Sequence, residues 1–106
     1  GSPDGGALVT AGDLLRFVDA VRGGRLLPPD LTAQFLTPQV RHDDAVHYGF
    51  GLEFKGADWW KEGCWDGASG IVMHYGDHGV DAVVLSNTRV GAWPVVRELD
   101  RLAAEA

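Results

Sequence analysis

The chain has 106 residues, which is enough for one domain with one hydrophobic core and too few for two self-contained domains. Hydrophobic residues make up 45% of it and charged residues 23%, the balance of a folded globular protein. The formal charge of -6 at pH 7 would repel a phosphate backbone, so nucleic acid is excluded as an expected partner. A single Cys allows no internal disulfide and leaves the compartment open. No apolar run has the length of a membrane span, and no signal peptide is expected.

The first part of the chain predicts two helices. Thr10 and Asp13 have the spacing of a capping box, and apolar residues then recur at helical intervals until a Gly-Gly pair, which predicts a helix over residues 11–22. A Pro-Pro turn follows, and a second short apolar face that stops at Thr-Pro predicts a helix over 29–36. The polar stretch 39–47 is expected to be a solvated connection.

The middle of the chain predicts strands. From Tyr48 the apolar period changes from 3.6 to 2, which predicts a strand over 48–55 with one buried face. A weaker pattern predicts another strand over 59–65. Two segments rich in β-branched residues, 70–75 and 80–87, are separated by a Gly-Asp-His-Gly turn and predict a β-hairpin.

A last amphipathic segment completes the predicted fold. Pro94 stands where a first helical turn tolerates it, and one apolar face follows, so a helix is expected over 93–104. Because the links between the elements are short, neighbouring strands should pair antiparallel. The expected fold class is therefore α+β, with an antiparallel β-sheet covered by the C-terminal helix on one face and by the N-terminal helices on the other.

Six short segments carry a resemblance to a known family. They are Pro3-Asp4-Gly5-Gly6, Thr10-Ala11-Gly12-Asp13-Leu14-Leu15-Arg16-Phe17, Leu36-Thr37-Pro38-Gln39, Tyr48-Gly49-Phe50-Gly51-Leu52, Asp66-Gly67-Ala68-Ser69-Gly70 and Val83-Val84-Leu85-Ser86-Asn87-Thr88. Together, and in this order, they resemble the C-terminal third of the serine β-lactamase-like family. This is the class C type group, with D-alanyl-D-alanine carboxypeptidases, D-aminopeptidases and esterases. The resemblance implies the C-terminal part of a β-lactamase/transpeptidase-like fold over residues 1–106.

The family performs acyl transfer with three sequence elements. They are a nucleophilic Ser-x-x-Lys, a Tyr-x-Asn or Ser-x-Asn that assists proton transfer, and a Lys-Thr-Gly or His/Trp-x-Gly strand that lines the substrate cleft. Ser2, Ser69 and Ser86 are not followed three residues later by Lys, and neither Tyr48 nor Tyr75 starts a Tyr-x-Asn. The resemblance therefore implies that no catalytic residue lies in this chain and that the nucleophile lies outside it.

Only the third element can be placed, at Trp65-Asp66-Gly67. An edge strand there can hold an extended substrate, Gly67 permits close approach of the backbone, and the Ala68 N–H is expected to donate to the oxyanion. The resemblance thus implies a cleft wall of Trp65, Asp66, Gly67 and Ala68, in which Trp65 replaces a cationic or imidazole side chain. Two alternatives stay open. One is a register with Cys64 at the head of the motif and Asp66 in place of its Gly, and the other is a plain strand end.

Other polar and aromatic groups have simpler explanations. The imidazole and carboxylate groups near residues 42–47 and 74–78 suit a transition-metal site, but turn polarity explains them as well. The resemblance implies no metal and no cofactor. Cys64 has no evident His or Asn partner and is expected to be a small buried hydrophobe. Trp59 and Trp60 are expected in core or interface packing, with an aromatic rim for a ligand as the alternative.

The resemblance implies the C-terminal part of a serine hydrolase that transfers acyl groups from amides or esters. The isolated chain is expected to be inactive. Its expected partners are the N-terminal remainder of the same fold, or a second copy through self-association, and a small-molecule or peptide-like substrate. The alternative is a non-catalytic binding or assembly module of the same fold, in which the third motif has decayed. A Ser-x-x-Lys upstream of residue 1 would favour the enzyme.

Overall fold

The computed structural model describes residues 2–3 and 5–106. Gly1 and Asp4 lie outside the described residues, and Asp4 belongs to the first of the six segments quoted above. Within the described part the helices are α1 (Ala11–Arg22), α2 (Pro29–Phe35) and α3 (Ala92–Glu105). None of these helices is long and apolar enough to cross a membrane.

The strands of the described residues form one antiparallel sheet. They are β1 (Val40–Arg41), β2 (His47–Tyr48), β3 (Glu53–Lys55), β4 (Asp58–Trp65), β5 (Ala68–Tyr75) and β6 (Val80–Ser86). Their spatial order is the same as their order in the chain, from β1 at one edge to β6 at the other. Each strand therefore pairs with its sequence neighbours, as short links require. The expected α+β class with an antiparallel sheet flanked by helices is confirmed.

Local sequence signals set the ends of α1. The Thr10 hydroxyl accepts a hydrogen bond from the Asp13 N–H at 3.0 Å, and the helix ends at Gly23. Its bounds coincide with the predicted 11–22, and α2 and α3 each lie within one residue of the predicted ends. On the inner side of α1, Val18 and Val21 are buried. This buried stripe docks the helix on the sheet, against β5 and β6.

The sheet has a core on each face. The core under α1 consists of Val18, Leu52, Phe54 and Trp59. The core under α3 consists of Ile71, Met73 and Tyr75, against which Trp60, Trp93, Val96 and Leu99 pack. Neighbouring residues Trp59 and Trp60 thus serve opposite faces, because successive strand side chains alternate. Core packing accounts for the buried Trp59, whereas Trp60 is partly buried against the core under α3 and also lines a cavity between that helix and the sheet.

The predicted continuous strand over 48–55 is wrong. The chain reverses within it, so that Tyr48 pairs with Glu53 across a loop of residues 49–52. The Gly49 N–H donates to the Leu52 carbonyl at 2.8 Å, and Gly51 has a φ of 112°, which disfavours any side chain there. The alternation therefore predicted the buried Leu52 and Phe54 but not the loop between the two strands.

The stretch 39–47 is also more ordered than a solvated connection. It contributes β1 and the start of β2, which pair through Val40 and Tyr48. Between them the Asp43 carboxylate accepts hydrogen bonds from the N–H groups of Ala45 and Val46, both at 2.8 Å. These bonds lower the pKa of Asp43 and close the loop as an Asx-type turn. A strand of two residues shows too little alternation in the sequence to be distinguished from a polar loop.

Candidate functional site

The residues predicted to form a cleft wall lie at the tip of the β4–β5 hairpin. Trp65 pairs with Ala68, and Asp66 and Gly67 form the two-residue turn between them. Gly67 has a φ of 81°, a conformation that only glycine adopts without strain. A Cβ built on Gly67 would have no atom within 4 Å. Gly67 is therefore required by the turn, and open space lies in front of it.

Half of β4 is a free edge of the sheet within the described residues. β3 pairs with β4 only at residues 58–60, whereas β5 pairs with it over 59–65. Residues 61–65 are exposed, and Trp65 at the end of the strand is 78% exposed. Unpaired extended backbone offers N–H and C=O groups to an added strand. The geometry suited to an extended substrate or partner segment is thus present beside the hairpin tip.

The strand pairing also determines which backbone groups face that free edge. In a two-residue hairpin the closing residues share backbone hydrogen bonds, and the direction of these groups alternates along the strand. The N–H of Ala68 is therefore directed at Trp65, inside the hairpin. The groups of β4 that face the free edge belong to Glu62 and Cys64. For the Ala68 N–H to reach a substrate oxygen, the closing pair of the hairpin must open.

The loop between β6 and α3 packs against the same tip. The Ser69 hydroxyl, in a residue only 5% exposed, donates to the Thr88 carbonyl at 2.8 Å and accepts from the Ala92 N–H at 3.1 Å. The Cys64 thiol donates to the Arg89 carbonyl at 3.3 Å. Three contacts from the hairpin thus hold this loop in place.

The expectation that Cys64 is a buried hydrophobe is wrong, because the side chain is exposed. Cys64 lies on the part of β4 that extends past β3. Its thiol is open to solvent and donates to the Arg89 carbonyl.

An ion pair at the tip is the feature that sequence reasoning missed. The Arg89 guanidinium donates through Nη1 to the Asp66 carboxylate at 3.0 Å. Both side chains are exposed, at 67% and 90%. The two residues are 23 positions apart, and no motif links them. The only signal in the sequence was the position of Arg89 shortly after the last strand. This position places Arg89 at an end of the sheet, where a hairpin turn can also lie.

Neither Ser69 nor Ser86 has the surroundings of an activated nucleophile. Ser69 uses its hydroxyl in the two loop contacts described above, and the Ser86 hydroxyl lies 3.1 Å from that of Thr88. Among the described residues, no Lys or His is hydrogen-bonded to either hydroxyl. An activated serine needs such a base within hydrogen-bond distance. The third serine, Ser2, lies in the N-terminal segment.

The imidazole of His74 lies in a structural cluster. Its Nδ1 is 2.7 Å from the Asp81 carboxylate, and its ring stacks on Trp59 with centroids 5.3 Å apart. Arg22 of α1 also binds Asp81, through Nε at 3.1 Å and through Nη2. Burial raises the pKa of Asp81, but the hydrogen bonds from Arg22 and His74 lower it more, and the net pKa is below 3.8. The cluster fastens α1 to the sheet.

A cavity of 820 Å³ lies between α3 and the sheet, away from the hairpin tip. Trp60, Met73 and Val96 contribute its apolar wall, and Asp100 lies on its lining. The Tyr75 hydroxyl donates to the Asp100 carboxylate at 2.7 Å, and burial raises the pKa of Tyr75 above its usual value of 10.0. None of the residues 65–68 lines this cavity.

Comparison with known proteins identifies the fold. The chain is similar to the crystal structure of a penicillin binding protein from Bacillus halodurans, with a TM-score of 0.84 and 27% sequence identity. The match covers 89% of this chain and 30% of that chain, so this chain spans less than a third of its length. No family model and no curated protein matches the sequence. The described residues therefore form a penicillin-binding/β-lactamase-like fold, as the resemblance implied.

Proposed function

We propose that this chain is the C-terminal part of a serine hydrolase of the β-lactamase and penicillin-binding type. The observation that carries the proposal is the match itself, at a TM-score of 0.84 over 89% of this chain but only 30% of its relative. The sequence also lacks Ser-x-x-Lys, and its two described strand serines have structural contacts. The nucleophilic serine and its base then belong to a segment outside residues 1–106.

The proposed reaction is acyl transfer from an amide or ester. The serine oxygen forms a bond to the carbonyl carbon, the C–N or C–O bond breaks, and the leaving group takes the proton. Water then hydrolyses the acyl-enzyme. This chain supplies the cleft wall of residues 65–68 and the free edge of β4, along which an extended substrate binds. The Ala68 N–H stabilises the oxyanion once its pair with Trp65 has opened, and such a donor is worth about 3 kcal/mol in comparable sites.

Labelling with a fluorescent penicillin and with a fluorophosphonate tests the proposal. The isolated chain should form no adduct, whereas the protein that joins it to its nucleophile-bearing part should be labelled on a serine outside residues 1–106. Intact-mass and peptide mass spectrometry locate the adduct. An adduct on Ser69 or Ser86 would contradict the proposal. Absence of labelling in the joined protein would favour the non-catalytic module.

A second experiment decides between the two registers of the motif. With Trp65 at its head, the backbone after Gly67 is essential, and Gly67→Val should lower kcat/KM about 100-fold while Cys64→Ser has little effect. With Cys64 at its head, the ranking of the two variants should reverse. The matched control is Gly79→Val, because Gly79 has a φ of 63° and equally open surroundings in another hairpin turn. It imposes similar strain away from the tip.

The proposed partner of this chain is the remainder of its own fold. Within the described residues β6 has a neighbour on one side only, and it exposes Val80 and Leu85 at 50% and 43%. Unpaired edges with apolar residues favour pairing with further chain. Sedimentation velocity should show self-association of the isolated chain, or a complex when the remainder is added. A monomer at all concentrations, with no complex, would count against this partner.

A further inference from the structure

The cavity between α3 and the sheet is not used by the proposed reaction. Its volume of 820 Å³ is within the range of sites that bind small organic molecules. From α3, the small side chains of Ala103 and Ala104 line it, so the helix leaves this space between itself and the sheet. None of the residues 65–68 lines it. A ligand here would therefore bind apart from the cleft wall.

One side of the cavity is apolar. Trp60 of β4 and Met73 of β5 line it from the sheet, and Val96 lines it from α3. Trp60 is only partly buried, so part of its indole is left for a ligand. An aromatic or aliphatic body that packs on this wall removes apolar surface from water, and the electron-rich face of an indole also attracts a cation.

The charged part of the lining is mainly acidic. The Asp77 carboxylate has no hydrogen bond or ion pair to another described residue, so it is free to accept from a ligand. An excess of negative charge in a cleft attracts cations. Within the part of the chain that the structure describes, the lining contains one lysine and four carboxylates, namely Lys55, Asp58, Glu62, Asp77 and Asp100.

Two of these carboxylates act on the Tyr75 hydroxyl. Asp100 accepts from it at 2.7 Å, and Asp58 is held by the Gly76 N–H at 2.8 Å. Burial, the hydrogen bond to Asp100 and the charge of Asp58 all raise the pKa of Tyr75. An ionised carboxylate offers about four lone pairs, so each can accept a further hydrogen bond. This end of the cavity, which the turn with Asp77 adjoins, therefore combines several acceptors.

The C-terminal part of α3 lies at the same end of the cavity. His78 of the β5–β6 turn donates through Nε2 to the Ala103 carbonyl at 2.8 Å. No basic residue lies in the last turn of this helix, so the partial negative charge of its carbonyl end is not neutralised there. Among the described residues no group of three His, Cys, Asp or Glu side chains is placed to hold a metal ion. Negative charge that is spread beside an apolar wall suits an organic cation.

We propose that this cavity binds an organic ammonium ion with an apolar body, such as an aralkylamine. The body packs on Trp60 and Met73, and the ammonium group donates to the carboxylates of Asp77 and Asp100. The site is separate from the proposed acyl transfer and does not depend on it. The affinity for a ligand should therefore follow the charge of the ligand and the charge of these two carboxylates.

Methyl NMR of Met73 tests the proposal. Met73 is the only methionine of the chain, so ¹³C-methyl labelling of methionine gives one signal from the cavity wall. The probes are phenethylammonium, the neutral phenethyl alcohol and the anionic hydrocinnamate, which all carry a phenyl ring on a short alkyl chain. Phenethylammonium should shift the signal with a Kd about 10-fold lower than that of the alcohol, and hydrocinnamate should bind more weakly than the alcohol. Equal Kd values for the three probes, or no shift with any of them, would overturn the proposal.

Removal of the two carboxylates tests where the ammonium group lies. Asp77→Asn together with Asp100→Asn should raise the Kd of phenethylammonium about 10-fold and leave that of phenethyl alcohol unchanged. Asparagine keeps an acceptor for the Tyr75 hydroxyl, so the change is mainly one of charge. The control is Asp30→Asn together with Asp44→Asn, which removes the same charge from residues outside the lining. An equal rise in the two double variants, or none in the first, would contradict the proposal.

A cavity-filling variant locates the site by a second route. Ala104→Phe should abolish the shift of the Met73 signal by phenethylammonium, whereas Leu102→Phe, outside the lining, should not. The protein that joins this chain to its nucleophile-bearing part should bind phenethylammonium with the same Kd as the isolated chain. Retained binding in Ala104→Phe would place the ammonium ion elsewhere, and loss of binding in the joined protein would show that the rest of the fold occupies the cavity. Either result would overturn the proposal.

Discussion

Replacing Ser69 by Ala should destabilise the chain because it disconnects the loop between β6 and α3 from the hairpin. The substitution removes two hydrogen bonds and leaves the Ala92 N–H, in a residue with no exposed surface, without a partner. A buried unsatisfied N–H costs about 1–3 kcal/mol, and the loss of the bond to the exposed Thr88 carbonyl adds about 1 kcal/mol. The expected total is about 2–4 kcal/mol, a large share of the ~5–15 kcal/mol that stabilises a domain of this size.

Urea unfolding followed by tryptophan fluorescence measures the Ser69→Ala effect. The transition midpoint should fall while the slope of the free energy with urea stays the same, since the surface exposed on unfolding is unchanged. The control is Ser86→Ala, in which the lost contacts are to the exposed Thr88 and water can replace them. It should cost about 1 kcal/mol or less. An equal midpoint for wild type and Ser69→Ala, or a larger loss in Ser86→Ala, would refute the reasoning.

Two further predictions concern the rest of the sheet. A Cβ on Gly76 would lie 2.1 Å from the Ala57 carbonyl oxygen, so Gly76→Ala should lower the free energy of unfolding, measured with urea, by about 3 kcal/mol. A Cβ on Gly63 would have no atom within 4 Å, so Gly63→Ala should lower it far less. Equal losses for the two variants would show that Gly76 does not pack against Ala57. The pKa of Asp81 in the folded state is below 3.8. The ionised carboxylate therefore stabilises the fold at a pH above its unfolded pKa of about 3.9, and this stabilisation is lost as the pH falls through the lower pKa of the folded state. The difference in melting temperature between wild type and Asp81→Asn should therefore shrink from pH 5 to pH 2, and a difference that stays constant would contradict the Arg22 ion pair.

Sequence patterns that involve only neighbouring residues were sufficient to predict much of the fold. Thr10, the apolar spacing and the Gly-Gly pair determine the ends of α1, because capping and helix termination involve only neighbouring residues. The hairpin of β5 and β6 follows from two β-branched runs around one turn. The resemblance to the serine β-lactamase-like family was also visible in the sequence, as six ordered segments. The helix and hairpin signals depend on a few neighbouring positions, and the resemblance depends on the order of the six segments.

The amino-acid sequence by itself thus determined the α+β class, the bounds of the three described helices to within one residue, and the stretch in which the cleft wall is proposed. Only the tertiary structure decided what surrounds that stretch. It placed Arg89 beside Asp66, exposed Cys64, and directed the Ala68 N–H into the hairpin rather than toward the free edge. The physical reason is that these features depend on strand register and on where one loop ends relative to another. Contacts between residues 23 or more positions apart leave no periodic trace in the sequence, because neither partner's identity constrains the other until the chain has folded.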